Sequence, residues 1–378
     1  MIGARSHLPP AAFALLIVAG CNTSAAPPPP PGSQVGNGSV NRVPAPPPPS
    51  PPDTVPLESR RIIMLDDPNL ELPKQESFVL LGAGTGKRVA LRYTLAAGSA
   101  AVIAQTTLSQ RHLAGSGGFT QPAAMPAIRD GFVVTTTAAE PRQLTLRALP
   151  AEVAAPSPDA DAYLASWRAL LQDRQITVTV DARGMFTTIA FPDDPAAARN
   201  QRSKDELVER LASTIVPLPV EPVGPGASWK VVTILRQARA YAKQTATYTL
   251  VSATPASWKV HVKLQRVGEQ QFINDPSLPS GVTAELLAMV RQLEGDVGLD
   301  PQHPLITGGS LAIESRLHVK LTEPKQPPTE LIFEDTGSVA FARCRSAASG
   351  PAAHRFGDCP DGFAPWLMGE LSRAGTRR

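Results

Sequence analysis

The sequence predicts an α+β fold that is predominantly antiparallel β: a curved sheet or half-barrel packed on about three helices. Three observations lead there. Several segments alternate apolar and polar residues with period two between turn-forming residues. Three others carry apolar residues at helical spacing. The strands come in groups with occasional helices rather than in strict alternation, which favours antiparallel layers over a doubly wound parallel sheet.

In 88–110, Val89, Leu91, Tyr93 and Leu95 face one way and Arg88, Arg92 and Thr94 the other. A turn at 96–99 and a second apolar run make this a predicted β-hairpin. Segments 131–137 and 142–149 form a second pair, broken by Glu140-Pro141, and 174–191 a third around Asp181-Ala182-Arg183-Gly184. Further strands are expected near 228–236, 240–252, 257–267, 310–322 and 329–341.

The predicted helices are 161–173, 203–216 and 281–295. The first spaces Tyr163, Leu164, Trp167, Leu170 and Leu171 helically, and the second opens on a Ser203/Glu206 capping box. The third puts Leu286, Leu287, Val290 and Leu293 on one face behind Ser280 as a cap. Each helix has one apolar stripe and each strand one apolar face, so burying the two against each other is the economical solution. With aromatics at 5%, small side chains such as Ala240, Ala242, Ala246 and Ala312 leave room for a cavity suited to acyl chains.

The first twenty residues read as an export signal. Arg5 and His7 precede an eight-residue apolar core, Ala11 to Val18, well short of the about 20 residues that span a bilayer. The Val18-Ala19-Gly20-Cys21 stretch that follows resembles the bacterial lipobox. That resemblance implies cleavage between Gly20 and Cys21, and lipidation of Cys21. Several acyl chains there would anchor the protein without a transmembrane helix. Asn22, rather than Asp, points to the outer membrane of a bacterial envelope.

Residues 21–57 hold thirteen prolines among Gly, Ser, Asn and Ala. Such a segment buries too little surface to offset its ordering entropy. It reads as a disordered, semi-rigid tether of roughly 40–110 Å. The domain follows at 58–342, with hairpins, helix and hairpins suggesting two related halves, about 75–200 and 203–342. Residues 343–378 form a tail. With Cys21 lipidated, Cys344 and Cys359 remain as an even pair for a disulfide in an oxidising compartment.

A net charge of +3 and the absence of a dense Lys/Arg cluster argue against a nucleic-acid partner. The 80–89 stretch, Leu-Leu-Gly-Ala-Gly-Thr-Gly-Lys-Arg-Val, falls short of a phosphate loop. Three residues rather than four separate Gly82 from Gly86-Lys87, and a strand follows where a helix N-terminus is needed. Asp66-Asp67, Asp193-Asp194 and Asp296 with Asp300 lie in turns, where Asp commonly caps the chain. No nucleophile elbow or zinc-protease spacing occurs, so neither a catalytic residue, a metal nor a cofactor is expected.

One polar face stands out. Lys259, His261 and Lys263 oppose the apolar side of their strand, as do Arg316, His318 and Lys320 of theirs. Were these strands neighbours, a basic strip able to hold an anionic ligand would result; a solvated sheet face is the plainer reading.

The segment Ile215-Val-Pro-Leu-Pro-Val-Glu-Pro-Val-Gly-Pro-Gly-Ala-Ser-Trp-Lys-Val231 is more distinctive. It resembles the PLPxEPVGxGxxW signature of a family of uncharacterised bacterial lipoproteins, where it joins a helix to the second strand group. The resemblance spans about residues 88–341, implies a β-rich domain, and transfers no catalytic residue. The expected role is a non-enzymatic interaction or structural module of the envelope. The alternatives are a carrier for a lipid or lipidated partner and, more remotely, a hydrolase with residues the sequence does not identify.

Overall fold

A computed structural model describes residues 74–344, apart from 116–118, 125–126, 140–141, 150, 154–163, 165–174, 191–207, 238–239 and 274–277. These residues build one sheet of fifteen strands. The first eight are β1 (Lys74–Gly82), β2 (Ala100–Gly115), β3 (Phe119–Ala124), β4 (Ile128–Ala138), β5 (Arg142–Ala148), β6 (Glu152–Val153), β7 (Gln175–Val180) and β8 (Phe186–Ala190). The others are β9 (Ser228–Gln237), β10 (Ala240–Ala253), β11 (Trp258–Gly268), β12 (Gln271–Ile273), β13 (Thr283–Asp300), β14 (His303–Thr322) and β15 (Thr329–Cys344). Their spatial order is β1-β9-β10-β11-β13-β14-β15-β2-β4-β5-β7-β8, with β12 on β13, β3 on β2 and β6 on β4. The two groups of hairpins thus belong to one continuous sheet, joined where β15 pairs with β2.

The half of the fold-class prediction that placed the sheet on about three helices is overturned. Among the described residues there is one helical run, α1, at 208–214, inside the predicted 203–216. Of 161–173 only Leu164 is described; it is helical and buried in the core. The predicted helix 281–295 is the body of β13, hydrogen-bonded to β11 on one side and β14 on the other. A bulge between Leu286 and Ala288 explains the misreading. It puts Leu286, Met289 and Leu293 on one buried face, a three-then-four spacing that imitates a helix. Ser280 sits in the turn before β13, where Gly281 adopts φ 82°.

The first predicted hairpin is corrected too. Leu91, Tyr93 and Leu95 are buried on one side as expected, but 88–95 joins no ladder beyond an isolated bridge from Val89 to Val223. Its amides instead reach turns: Tyr93 N–H donates to Ala182 O at 2.9 Å and Thr94 N–H to Pro301 O at 2.8 Å. The hairpins β4–β5 and β7–β8 form as expected. In the latter's turn, Asp181 Oδ1 accepts from the amides of Arg183 and Met185, each at 2.8 Å.

One face of the sheet carries the core. In β11, Trp258, Val260, Val262 and Leu264 are buried while Lys259, Lys263 and Gln265 are exposed. Large aromatics are few and central: Trp229 stacks on Tyr248 at 5.7 Å and Tyr93 packs against Trp258 at 5.6 Å. The apolar cluster around them draws on both ends of the sheet, from Leu144 and Ile176 to Trp229 and Val260. The buried face is therefore concave. Ala240, Ala242 and Ala246 lie on it, whereas Ala312 is exposed on the other face.

The proline-rich segment straps the two ends together. Prolines supply carbonyls but no N–H, so side-chain donors take the place of a ladder. Trp229 Nε1 donates to Pro217 O at 2.7 Å, Arg92 to Pro219 O and Val220 O at 2.8 and 2.6 Å, and Tyr93 Oη to Val216 O at 3.0 Å. Arg183, from the β7–β8 turn, donates through Nε to Leu218 O at 2.7 Å and lays its guanidinium 4.4 Å from the centre of the Phe78 ring in β1. Strands at opposite ends of the hydrogen-bonding order thus meet through side chains.

Candidate functional site

Cross-strand register places polar residues in a single line across the concave face. Gln244 of β10 is opposite Arg266 of β11, and Arg266 is opposite Arg291 of β13. Arg291 is opposite Ser315 of β14, Ser315 opposite Asp335 of β15, and Asp335 opposite Arg111 of β2. Six neighbouring strands contribute one residue each.

Apolar rows flank this line. On one side run Ala246, Leu264, Leu293 and Ile313, all part of the main core. On the other run Met289, Leu317, Phe333 and Leu113, in register with one another. They belong to a second cluster with Leu286, Val319, Leu321 and Leu331. Leu113 and Leu317 are only partly buried.

Helix α1 closes the line from above. Glu209 is 10% exposed and its Oε1 accepts from both arginines, Arg266 Nη1 and Arg291 Nη1, each at 2.7 Å. Arg266, wholly buried, also donates to Gln244 Oε1 at 2.7 Å and to Ser213 Oγ at 2.6 Å. Across the line, Arg111 grips Asp335 with two bonds of 2.7 and 3.1 Å, and Ser315 Oγ donates to the same carboxylate at 3.4 Å. A further pair, Arg210 of α1 with Asp130 of β4 at 2.8 Å, holds the helix to the far side of the concavity. Arg291 differs from the rest. Its side chain is 29% exposed, yet its Nε is sealed from water with no hydrogen-bond partner.

None of these residues was singled out from the sequence, though a signal existed. Continuing the alternation of Val260, Val262 and Leu264 by one step reaches Arg266. A charge on an apolar strand face is the informative exception.

The residues that were singled out lie elsewhere. Lys259, His261 and Lys263 of β11, and Arg316, His318 and Lys320 of β14, are on the other face of the sheet, as expected. Their strands are not neighbours: β13 lies between them. It supplies Asp296 to Lys259 and His261 at 2.8 Å each, Glu294 to Lys263 at 3.3 Å, and Glu285 to Lys320 at 3.4 Å. From β15, Glu330 meets His318 at 2.9 Å and Glu334 meets Arg316 at 3.6 Å. The hydrogen bonds from Lys259 and then His261 hold the Asp296 carboxyl below its usual range. The six basic residues thus sit among acidic partners supplied by neighbouring strands.

Cys344 is buried at the end of β15, whereas Gly20, Cys21 and Cys359 lie outside the described residues, as do Asp66-Asp67 and Asp193-Asp194. His303, 2% exposed, has an unpartnered Nδ1, and burial lowers its pKa below the ordinary 6.5. Among the described residues, no group of three His, Cys, Asp or Glu is placed to hold a metal ion. Comparison of the chain with protein-family models and with curated proteins finds no match.

Proposed function

We propose that this chain is a lipid-anchored, non-enzymatic binding module of the bacterial envelope, held at the outer membrane through Cys21 and the proline-rich tether. Its binding surface is the apolar end of the concave face, and its ligand is the apolar chain of a lipid or lipidated partner. One observation supports the reading above others: two apolar surfaces on one face are kept apart by a line of charge. A fold alone gains little from such a line. Burying an ion pair costs several kcal/mol per ion before the partners' attraction offsets it, and apolar replacements are often neutral or stabilising. A boundary of this kind suits a surface that must stay distinct from the folding core.

A second reading, an interaction module without cargo, draws on Phe272, which is 74% exposed on β12. Native mass spectrometry of the full chain purified from membranes separates the two. The binding reading expects acylated Cys21 and a non-covalent amphiphile that leaves on activation. Protein that is acylated but carries no such species, even after incubation with lipid extract, would favour the interaction module.

A further inference from the structure

We infer that the convex face around Cys344 is a docking surface for the chain's own C-terminal segment, residues 345–378, which folds back over β15, β2 and β4 and closes that part of the sheet from outside.

An antiparallel sheet with one face on the core leaves its other face to water, and β11, β13 and β14 obey. On their convex side Lys263, Gln265, Gln292, Glu294, Ala312 and Glu314 are exposed. From β15 onward the rule fails. Ala340 and Cys344 of β15, Ala104 and Thr106 of β2 and Val133 of β4 point away from the core, because Val339, Phe341, Ile103, Phe132 and Val134 on the alternate positions belong to it. All five are nevertheless buried. Ala104, Val133 and Cys344 form a cluster of their own with Leu149, separate from the core. Register sets the strands side by side here: Ala340 is opposite Thr106, Ala342 opposite Ala104 and Cys344 opposite Val102, which in turn is opposite Val133. Thr106 Oγ1 is sealed from water and has no hydrogen-bond partner. On an open sheet face that hydroxyl would meet solvent. The patch is covered.

The cover comes from outside the described residues. Those between the strands either turn at the ends of the sheet or join the core on the concave side, as Leu91, Leu211, Leu218 and Val223 do. Of the remaining chain, 154–174 holds Leu164, which is in that same core, and 191–207 connects β8 to α1 on the concave side. Residues 1–73 enter the sheet at β1, six strands from β15. Residues 345–378 begin at the patch itself, directly after Cys344. They carry Phe356, Phe363, Trp366 and Leu367, apolar side chains to lay on the cluster. Reach is ample. From β15 across β2 and β4 to β5 is three strand spacings, about 15 Å, and residues 345–358 extend to about 50 Å. The segment can cross the patch and return to Cys344, as the expected bridge to Cys359 requires. Such a bridge forms by exchange with a disulfide of the oxidising compartment: the two thiols give up two protons and two electrons, and that disulfide is reduced to two thiols.

The test uses the full chain carrying Cys21→Ala, with Phe356 replaced by the photo-cross-linker p-benzoylphenylalanine. Irradiation should join position 356 to residues within 100–107, 129–135 or 338–344. Cross-links confined to other parts of the chain, or none, would overturn the inference. Cys344 supplies a second readout. With Cys21→Ala and Cys359→Ser together it is the one thiol left. Ending that chain after Arg345 should raise the rate at which Cys344 reacts with a maleimide by about tenfold or more, since the cover no longer has to open. A rate unchanged by the truncation would assign the cover to another segment and overturn the inference equally. Where a melting curve shows that the truncated chain does not fold, the cross-link map decides alone. None of these outcomes depends on the ligand proposed above.

Discussion

Arg266 and Arg291, directly opposite each other on β11 and β13, donate to the same carboxylate oxygen of Glu209. Two like charges in adjacent strands repel, so this arrangement depends on the helix that carries the acid. Helix α1 and the sheet are therefore coupled through charge as well as packing.

Glu209→Ala removes the carboxylate that both arginines share, one of them the wholly buried Arg266. A loss of about 3–5 kcal/mol is expected, as for other buried pairs broken on one side. Arg266→Met, which leaves Glu209 paired with Arg291, should cost less. Urea denaturation of both variants tests the order; Arg266→Met as damaging as Glu209→Ala would contradict it.

Gly224 lies in the strap, where an added Cβ would sit 2.2 Å from Thr85 O. The obstacle is backbone and cannot rotate away. Gly224→Ala should therefore destabilise by about 1–3 kcal/mol or more through overpacking. At Gly86 an added Cβ meets nothing within 4 Å and only its φ of +71° is unfavourable, so Gly86→Ala should cost about 1 kcal/mol. Thermal unfolding of the two proteins measures the difference.

His303 gives stability a pH dependence of known sign. Burial lowers its pKa in the folded state from 6.5, so the unfolded chain takes up this proton first as pH falls. Its contribution is complete above the unfolded value and is lost progressively below it. Denaturant midpoints measured between pH 5 and pH 8 should decline toward the acid end. His303→Phe should flatten part of that decline, and an unchanged profile would count against it.

Cys344 and Cys359 should be joined in the mature protein. Closing a loop of about 15 residues contributes roughly 3 kcal/mol in the chain-entropy account. Thiol titration of unreduced, unfolded protein should find neither cysteine reactive; two reactive thiols would exclude the bridge.

Much of the sheet was legible from alternation. The strict burial pattern of β11 and the Asp181 turn between β7 and β8 are local properties of the chain. The bulge in β13 is local too, but its three-then-four spacing carries a helical signature, and only the pairing of both its edges with β11 and β14 decides for a strand. For 88–95 the face was right and the partner wrong, since a turn and a strap, rather than a strand, accept its hydrogen bonds. Alternation likewise placed His261 and His318 on the face opposite the core. It could not show that β13 runs between them with Asp296 and Glu294. Alternation reached Arg266 but not the line it belongs to: Gln244 and Arg111 are joined by the register of six strands, five of them far from β2 in sequence.

The central proposal is that the chain is held in the envelope by an acylated Cys21 and carries a non-covalent apolar ligand. Native mass spectrometry of the full chain purified from membranes tests it most directly. The account predicts acylated Cys21 together with an amphiphile that leaves on activation. Unmodified Cys21, or acylated protein that stays empty even after incubation with lipid extract, would contradict it.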